Sequence, residues 1–152
     1  MDAINSPTPG AGAPPSRGIS VVIAEDHQLM RQTLRALLEG SDGISVCAEA
    51  GDLALTRQHV AAHHPEVLVL DLHMPDGSSL QMLRELRTQT PGTHVVLTGA
   101  EDAPAFARHA LAAGASGYVL KDRAYEELPA AVRAAAHAED RGTSEGFEPR
   151  AV

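Results

Sequence analysis

The sequence predicts a doubly wound α/β fold, in which one five-stranded parallel sheet carries helices on both faces. Short runs of aliphatic residues alternate five times with longer segments whose apolar residues recur at helical spacing. One run, from Val67 to Leu70, is apolar at every position, which is typical of a strand buried on both faces. Strands and helices that alternate in this way form parallel sheets with right-handed crossovers.

The composition indicates one soluble domain. The chain has 152 residues, of which 43% are hydrophobic and 21% are charged, enough for a proper core. A single cysteine leaves no disulfide within the chain, and no apolar run is long enough to cross a membrane, so we expect a cytoplasmic protein. The formal net charge of −8 argues against a nucleic-acid-binding surface on this domain.

The expected domain occupies residues 19–140. Residues 1–18 contain four prolines among glycine, alanine and serine and lack the pattern of a signal peptide, so we expect a disordered N-terminal tail. Residues 141–152 are expected to form a loose C-terminal tail that is too short for a further domain.

Each predicted strand is short, aliphatic and bounded by turn-forming or polar residues. The predicted strands span residues 19–24, 44–49, 67–71, 94–98 and 117–120. Cys47 lies inside the second strand, where we expect its thiol to pack rather than to react. After the third strand, Pro75 and Gly77 supply a turn.

Each predicted helix has one apolar face and a residue that ends it or limits its start. The predicted helices span residues 26–39, 52–64, 78–90, 103–113 and 125–138. Gly40 and Gly114 end the first and fourth helices, since glycine is favoured at helix C-termini. Pro65 and Pro91 follow the second and third helices, because proline cannot continue a helix. Pro129 limits how early the last helix can begin, since proline is tolerated only in the first turn.

Polar side chains follow every predicted strand. In chain order, the strands end on Glu25–Asp26, Glu49, Asp71, Thr98 and Lys121. The carboxyl ends of parallel strands meet at one edge of the sheet, and ligands of open α/β folds bind outside that edge. If the first, third, fourth and fifth strands are neighbours, one pocket contains three carboxylates, a hydroxyl and an ammonium.

This set of groups suits phosphoryl transfer. Three clustered carboxylates repel each other unless a hard cation neutralises them, and an open, oxygen-rich site suits Mg²⁺. The metal, Thr98 and Lys121 could then bind three phosphoryl oxygens, with Asp71 as the nucleophile that forms an aspartyl phosphate. Two simpler interpretations stay open: Glu25 and Asp26 could cap the following helix, and Asp71 could merely accept N–H groups in its turn.

Four motifs at these strand ends resemble those of a response-regulator receiver domain, over the span from Ile19 to about Asp140. The motifs are Val-Ile-Ala-Glu25-Asp26-His, Val-Leu-Asp71-Leu-His-Met-Pro75-Asp-Gly77, Val-Leu-Thr98-Gly and Gly117-Tyr118-Val-Leu-Lys121-Asp122. Each motif alone is a modest signal, but in this order and at these strand ends they are highly specific. Residues 26–31 and 117–122 are most similar to receivers of the NarL/FixJ class.

The resemblance implies a flavodoxin-like fold with strand order 2-1-3-4-5 and gives a role to each site residue. Asp71 would accept a phosphoryl group from a histidine kinase, as phosphohistidine, or from a small donor such as acetyl phosphate. The implied ligands of Mg²⁺ are Glu25, Asp26, Asp71 and the backbone carbonyl of His73. Thr98 and Lys121 would contact the phosphoryl oxygens, and Tyr118 would be the aromatic residue that moves with the switch.

The resemblance also implies a sensor histidine kinase and an output partner that the sequence does not identify, and it is compatible with a phosphorylation-dependent homodimer. NarL/FixJ regulators usually continue into a DNA-binding domain, which residues 141–152 cannot form. The sequence fits either a stand-alone receiver or one cut from a longer regulator of transcription. We therefore expect no direct DNA binding by this chain and no membrane partner.

Other classes of protein fit less well. A haloacid-dehalogenase-like phosphatase expects a second aspartate two positions after its nucleophile, where this chain has His73. A dinucleotide-binding module needs a glycine-rich turn after the first strand, where this chain has Glu25 and Asp26. A pseudo-receiver would keep the fold and dock partners without the reaction. We expect a phosphoacceptor signalling domain that assists its own phosphorylation and dephosphorylation rather than a classical enzyme.

Overall fold

The computed structural model describes residues 18–100 and 104–138. The predicted N-terminal tail, apart from Gly18, the predicted C-terminal tail and residues 101–103 and 139–140 therefore lie outside the described residues. The strands are β1 (Ile19–Ala24), β2 (Ile44–Ala50), β3 (Val67–Asp71), β4 (His73–Met74), β5 (Gly77–Ser78), β6 (His94–Gly99) and β7 (Gly117–Leu120). The helices are α1 (Gln28–Glu39), α2 (Leu53–His63), α3 (Ser79–Gln89), α4 (Pro104–Ala112) and α5 (Ala124–His137), the last preceded by a 3₁₀ turn (Lys121–Arg123). None of these described helices has the length and apolar character that a membrane crossing requires.

Five of the strands form one parallel sheet in the order β2-β1-β3-β6-β7. With the two-residue strands β4 and β5 set aside, this is the order 2-1-3-4-5, and the predicted fold class is confirmed. β3 lies in the middle and all its residues are buried, as its apolar sequence predicts. β4 and β5 form a small antiparallel hairpin directly after β3, where the sequence predicts only a turn.

Alternate residues of the strands face two separate hydrophobic cores, one on each side of the sheet. On one side, Ile23 and Val69 pack in a cluster with residues of α1 and α5. On the other side, Leu70 and Leu97 pack in a cluster with residues of α2, α3 and α4. We call these sides the α1/α5 face and the α2/α3/α4 face.

The prediction that Cys47 packs inside β2 is wrong, because Cys47 lies on the exposed side of this strand, opposite the buried residues Ile44 and Val46. The strand is also irregular at this residue. Val21 of β1 pairs with Val46, but the next residue of β1 pairs with Ala48, so one residue of β2 is left over. That residue is Cys47, which forms a β-bulge. Its thiol is exposed and donates to the Val21 carbonyl at 3.4 Å.

The last helix begins one residue earlier than predicted, at Ala124, and the argument from proline is wrong. Pro129 lies inside α5, beyond its first turn. It therefore removes the N–H that would donate to the Tyr125 carbonyl four residues earlier. The buried residues Leu128 and Val132 pack this part of α5 against the sheet, which outweighs the missing hydrogen bond.

Gly114 follows α4, where the sequence predicts a glycine stop, and its backbone has a φ of +113°. A Cβ atom at this position would collide with the Arg87 side chain of α3. Both the conformation and the close approach therefore require glycine here.

We expect Gly114→Ala to lower the free energy of unfolding by about 1–3 kcal/mol, because alanine is strained at positive φ and its methyl group would displace Arg87. Chemical denaturation followed by circular dichroism measures this loss. Gly92→Ala is the matched control, since Gly92 lies in a turn without positive φ and with open space at its Cβ position. Equal stabilities of the two variants would contradict the argument.

Candidate functional site

Four side chains occupy equivalent positions at the ends of four neighbouring strands. Glu25 follows β1, Asp71 ends β3 and Lys121 follows β7, each two positions beyond a residue of the α1/α5 core. Thr98 of β6 is the register partner of Asp71. Because side chains alternate along a strand and agree between paired residues, all four point to the same side at the carboxyl edge of the sheet.

The ammonium of Lys121 lies between two buried carboxylates. Its Nζ is 3.0 Å from Asp71 Oδ2 and 3.1 Å from Glu25 Oε1. The side chains of Asp71 and Glu25 are 2% and 1% exposed, whereas that of Lys121 is 24% exposed. One partly exposed ammonium is therefore the shared ion-pair partner of two buried carboxylates.

Burial and the close approach of these charges shift the pKa values of Glu25 and Lys121. The pKa of Glu25 lies above the ordinary carboxyl value, first because burial penalises its charge and second because the Asp71 carboxylate is close. The N–H of His27, which donates to Glu25 Oε2 at 3.1 Å, and the Lys121 ammonium oppose this rise without outweighing it. Burial alone would lower the pKa of Lys121, but its hydrogen bonds to Asp71 and Glu25 outweigh burial and raise it.

Asp26 completes a group of three carboxylates. One oxygen from each of Glu25, Asp26 and Asp71 lies within 4.8 Å of the others, close enough for all three to ligate one ion. Asp26 is exposed at the rim, while the other two are buried. Carboxylate oxygens with an open side that admits water are the ligands that Mg²⁺ prefers, so the residues present fit this ion.

The two simpler interpretations of the acidic residues do not account for this geometry. The N-cap of α1 is His27, and neither Glu25 nor Asp26 lies in the first turn of the helix, so the capping interpretation is wrong. Asp71 Oδ1 does accept the N–H of His73 in the following turn, at 3.2 Å. Its second oxygen, however, is bound by Lys121, so the carboxylate does more than stabilise a turn.

Thr98 is 1% exposed, and in the described part of the chain its hydroxyl oxygen has no hydrogen-bond partner. Its backbone carbonyl accepts the N–H of Leu72 at 2.8 Å, which holds β6 beside the end of β3. A buried hydroxyl without a partner is costly, typically by about 1–3 kcal/mol. The side chain is therefore suited to bind a group that enters the site.

Tyr118 lies on the opposite side of the sheet, among the residues of the α2/α3/α4 face. Its ring stacks on Phe106 of α4, with 6.3 Å between the ring centroids and 14° between the planes. A Cβ atom on Gly99 would lie only 2.6 Å from Tyr118 Oη, so the tyrosine covers this glycine. Tyr118 thus contacts the strand one residue beyond Thr98.

Two residues that the sequence interpretation did not include also touch the site. Ser79 of α3 donates its buried hydroxyl to the backbone carbonyl of Asp71 at 2.7 Å. Arg31 of α1 donates to the backbone carbonyl of Glu25 at 2.8 Å. Both lie on the inward-facing stripe of their helices, three residues before a buried methionine or leucine. A polar residue on an apolar stripe is the sequence signal that could have identified them.

Comparison with known proteins identifies this arrangement. The family described as response regulator receiver domain matches residues 21–133. The probable transcriptional regulatory protein NarL of Mycobacterium tuberculosis is 35% identical over 119 residues, which are 78% of this chain and 55% of that protein. The nitrate/nitrite response regulator protein NarP of Escherichia coli is 37% identical over 123 residues, 81% of this chain and 57% of NarP. The chain thus spans about half the length of these curated relatives.

A solved structure agrees with the sequence comparison. The signal receiver domain of NarL from Mycobacterium tuberculosis superposes with a TM-score of 0.74 and 34% identity, covering 83% of this chain and 98% of that domain. The likeness therefore extends over essentially the whole of that solved receiver domain. The chain belongs to the response regulator receiver domains, the phosphorylation-dependent signalling modules of two-component systems.

Proposed function

We propose that Asp71 is the residue of this chain that accepts the phosphoryl group. The observation that carries the proposal is the environment of its carboxylate, which is buried, bound by Lys121 at 3.0 Å and grouped with Glu25 and Asp26. In the reaction, an Asp71 oxygen attacks phosphorus while the bond from phosphorus to the donor breaks. The donor is the phosphohistidine of a sensor kinase, whose released imidazole nitrogen takes up a proton, or a small molecule such as acetyl phosphate, from which acetate leaves as an anion.

Receiver domains bind Mg²⁺ at an acidic pocket, and we propose that Glu25, Asp26, Asp71 and the backbone carbonyl of His73 hold it here. When bound, the ion neutralises the excess negative charge of the carboxylates and of the incoming phosphoryl oxygens. The grouping of the three carboxylate oxygens supports this assignment. The pKa of Glu25 is raised first by burial and second by the nearby Asp71 carboxylate, and a cation bound between the two would oppose both effects.

Lys121 and Thr98 are proposed to bind the phosphoryl oxygens. The Lys121 ammonium already lies within hydrogen-bond distance of Asp71, so it needs to move little to contact a group attached to that carboxylate. The Thr98 hydroxyl is buried beside Asp71 and without a partner, and it can donate to a phosphoryl oxygen. With the same groups placed around the phosphoryl group, the domain would assist both its own phosphorylation and the later hydrolysis by water.

Tyr118 is proposed to report phosphorylation on the other side of the sheet. A hydrogen bond from Thr98 to the phosphoryl group would pull on the end of β6 and so move Gly99, on which the Tyr118 ring rests. Tyr118 is stacked on Phe106, so its displacement would reach α4. The phosphoryl group can shift this equilibrium only by its preference for one of the two packings.

The proposed partners are a cytoplasmic sensor histidine kinase and an output protein or domain that binds the surface of β7, α4 and α5. A phosphorylation-dependent homodimer would use the same moving surface. NarL and NarP are named as regulators of transcription or as response regulators, and this chain matches only about half of each. With its net charge of −8, we infer that this chain does not itself bind DNA, and that any control of transcription is exerted through its partner.

We expect Asp71→Asn to fold normally, because the change is nearly isosteric, but to take up no phosphoryl group from acetyl phosphate with Mg²⁺. Intact-protein mass spectrometry measures the uptake. Asp52→Asn is the matched control, since Asp52 is the N-cap of α2 and asparagine caps a helix equally well. Labelling of the Asp71 variant at the wild-type rate would show that another residue is the acceptor.

We expect Asp26→Ala to weaken Mg²⁺ binding at least about tenfold, because it removes one of the three carboxylate ligands. Isothermal titration calorimetry on the unphosphorylated chain measures the affinity. Asp42→Ala removes the same charge from an exposed position after α1, outside the acidic cluster, and should leave the affinity unchanged. If both variants bind Mg²⁺ like the wild type, the acidic cluster is not the metal site.

We expect a beryllofluoride mimic of the phosphoryl group to change amide hydrogen exchange in α4 and around Tyr118, as well as in the loops after the strands. Thr98→Val keeps the β-branched shape but lacks the hydroxyl, so the change in α4 should be largely lost in this variant. Exchange that changes only in the loops of the wild-type chain would contradict the proposed coupling and would leave phosphorylation itself untouched.

A further inference from the structure

The turn that carries the first two acidic residues has no ordinary helix cap. His27 is the N-cap of α1, but its side chain makes no capping hydrogen bond, and the first turn of α1 contains no acidic residue. Caps of this kind normally fix the conformation at a helix start. The turn must therefore be held by other contacts if Glu25 and Asp26 are to keep a defined separation from Asp71.

Arg31 supplies such a contact. Its Nη1 donates to the backbone carbonyl of Glu25 at 2.8 Å, and its side chain is only 20% exposed. The carbonyl of Glu25 belongs to the peptide that joins it to Asp26. A hydrogen bond to this one oxygen therefore orients the backbone of both acidic residues at once.

The Arg31 guanidinium is itself bound by a residue of β2, the outermost strand of the sheet. Its Nε donates to Glu49 Oε1 at 3.0 Å, and Arg35 donates to the other oxygen of Glu49 at 2.6 Å. The pKa of Glu49 lies below the ordinary carboxyl value, chiefly because of the hydrogen bond from Arg35. Two residues after Glu49, Gly51 leaves room for the guanidinium, since a Cβ atom there would lie 3.2 Å from Arg31 Nη1.

We infer that Arg31 is a positioning residue of the metal site, which holds Glu25 and Asp26 in the arrangement that binds Mg²⁺ and is itself oriented by Glu49. The inference rests on the proposed Mg²⁺ site and adds to it a residue that touches neither the ion nor the phosphoryl group. Arginine suits this position because its planar fork donates in two directions from one rigid group, which a lysine ammonium cannot reproduce with the same geometry.

A purely structural role for Arg31, as an ion pair between α1 and β2, makes a different prediction. Arg35 forms the same kind of bridge to Glu49, and its side chain is 38% exposed. It makes no hydrogen bond to the turn among the contacts of the described residues. Arg35→Ala is therefore the matched control, because it removes one arginine from Glu49 and leaves the Glu25 carbonyl bonded.

Isothermal titration calorimetry of Mg²⁺ into the unphosphorylated full chain tests the inference. We expect Arg31→Ala to weaken Mg²⁺ binding about tenfold, the lower end of the range for residues that orient metal ligands. Arg31→Lys should bind with intermediate affinity. Arg35→Ala should stay within about twofold of the wild type, because Arg35 makes no hydrogen bond to the Glu25–Asp26 turn among the described contacts and its partly exposed ion pair contributes little. Urea denaturation of each variant shows whether it is folded at the temperature of the titration. Wild-type Mg²⁺ affinity in Arg31→Ala, or equal losses in the Arg31 and Arg35 variants, would overturn the inference.

Phosphorylation by acetyl phosphate gives a second readout. In Arg31→Ala the Mg²⁺ concentration for half-maximal labelling should rise by a factor similar to the loss of affinity, while the maximal rate at saturating Mg²⁺ is largely retained. A lowered maximal rate with unchanged Mg²⁺ dependence would overturn the positioning role. The proposed function fails in a different way, by the absence of Mg²⁺-dependent labelling in the wild-type chain.

Discussion

The charge balance at the carboxyl edge of the sheet is the constraint on which the rest of the structure depends. Glu25 and Asp71 are both almost fully buried, and removing a carboxylate from water costs several kcal/mol unless a partner offsets it. Lys121 is that partner for both, and its hydrogen bond to Glu25 joins residues 96 positions apart in the chain. The ammonium therefore ties the end of the first strand to the end of the last, across the central strand that carries Asp71.

The positive charge of Lys121 does not match the negative charge of the carboxylates at this edge, and the mismatch is confined to the polar edge of the sheet. The two faces of the sheet carry clusters of buried hydrophobic residues. The polar edge, in contrast, has an excess of negative charge and a buried Thr98 hydroxyl without a partner among the described residues. Such local conflicts are expected where a protein binds or reacts, because the missing charge and hydrogen bonds are supplied by the ligand. In the proposed function, a cation would supply the missing positive charge and a phosphoryl group would supply acceptor oxygens for the Thr98 hydroxyl.

The layers and the acidic cluster could be predicted from the sequence because both follow from periodic patterns. The apolar run before Asp71 requires a central strand, and the polar residue after each strand must lie at a common edge. The small hairpin after β3 and the bulge at Cys47 could not be predicted, since two-residue strands and a register shift leave no trace in hydrophobic periodicity. The contacts of Arg31 and Ser79 with backbone carbonyls depend on how a helix docks, which a pattern along one element does not encode.

The position of Gly99 directly after Thr98 has a consequence for how such a domain can diversify. Successive residues of a strand face opposite sides of the sheet, so Thr98 lies with the acidic cluster while Gly99 lies beneath the Tyr118 ring. The acidic cluster and the aromatic pair thus lie on opposite sides of the sheet, and one peptide bond, between Thr98 and Gly99, separates the residues that contact them. If the surface around Phe106 binds the output partner, as proposed, substitutions there would alter recognition and leave the acidic edge unchanged, so recognition and chemistry could evolve at different rates.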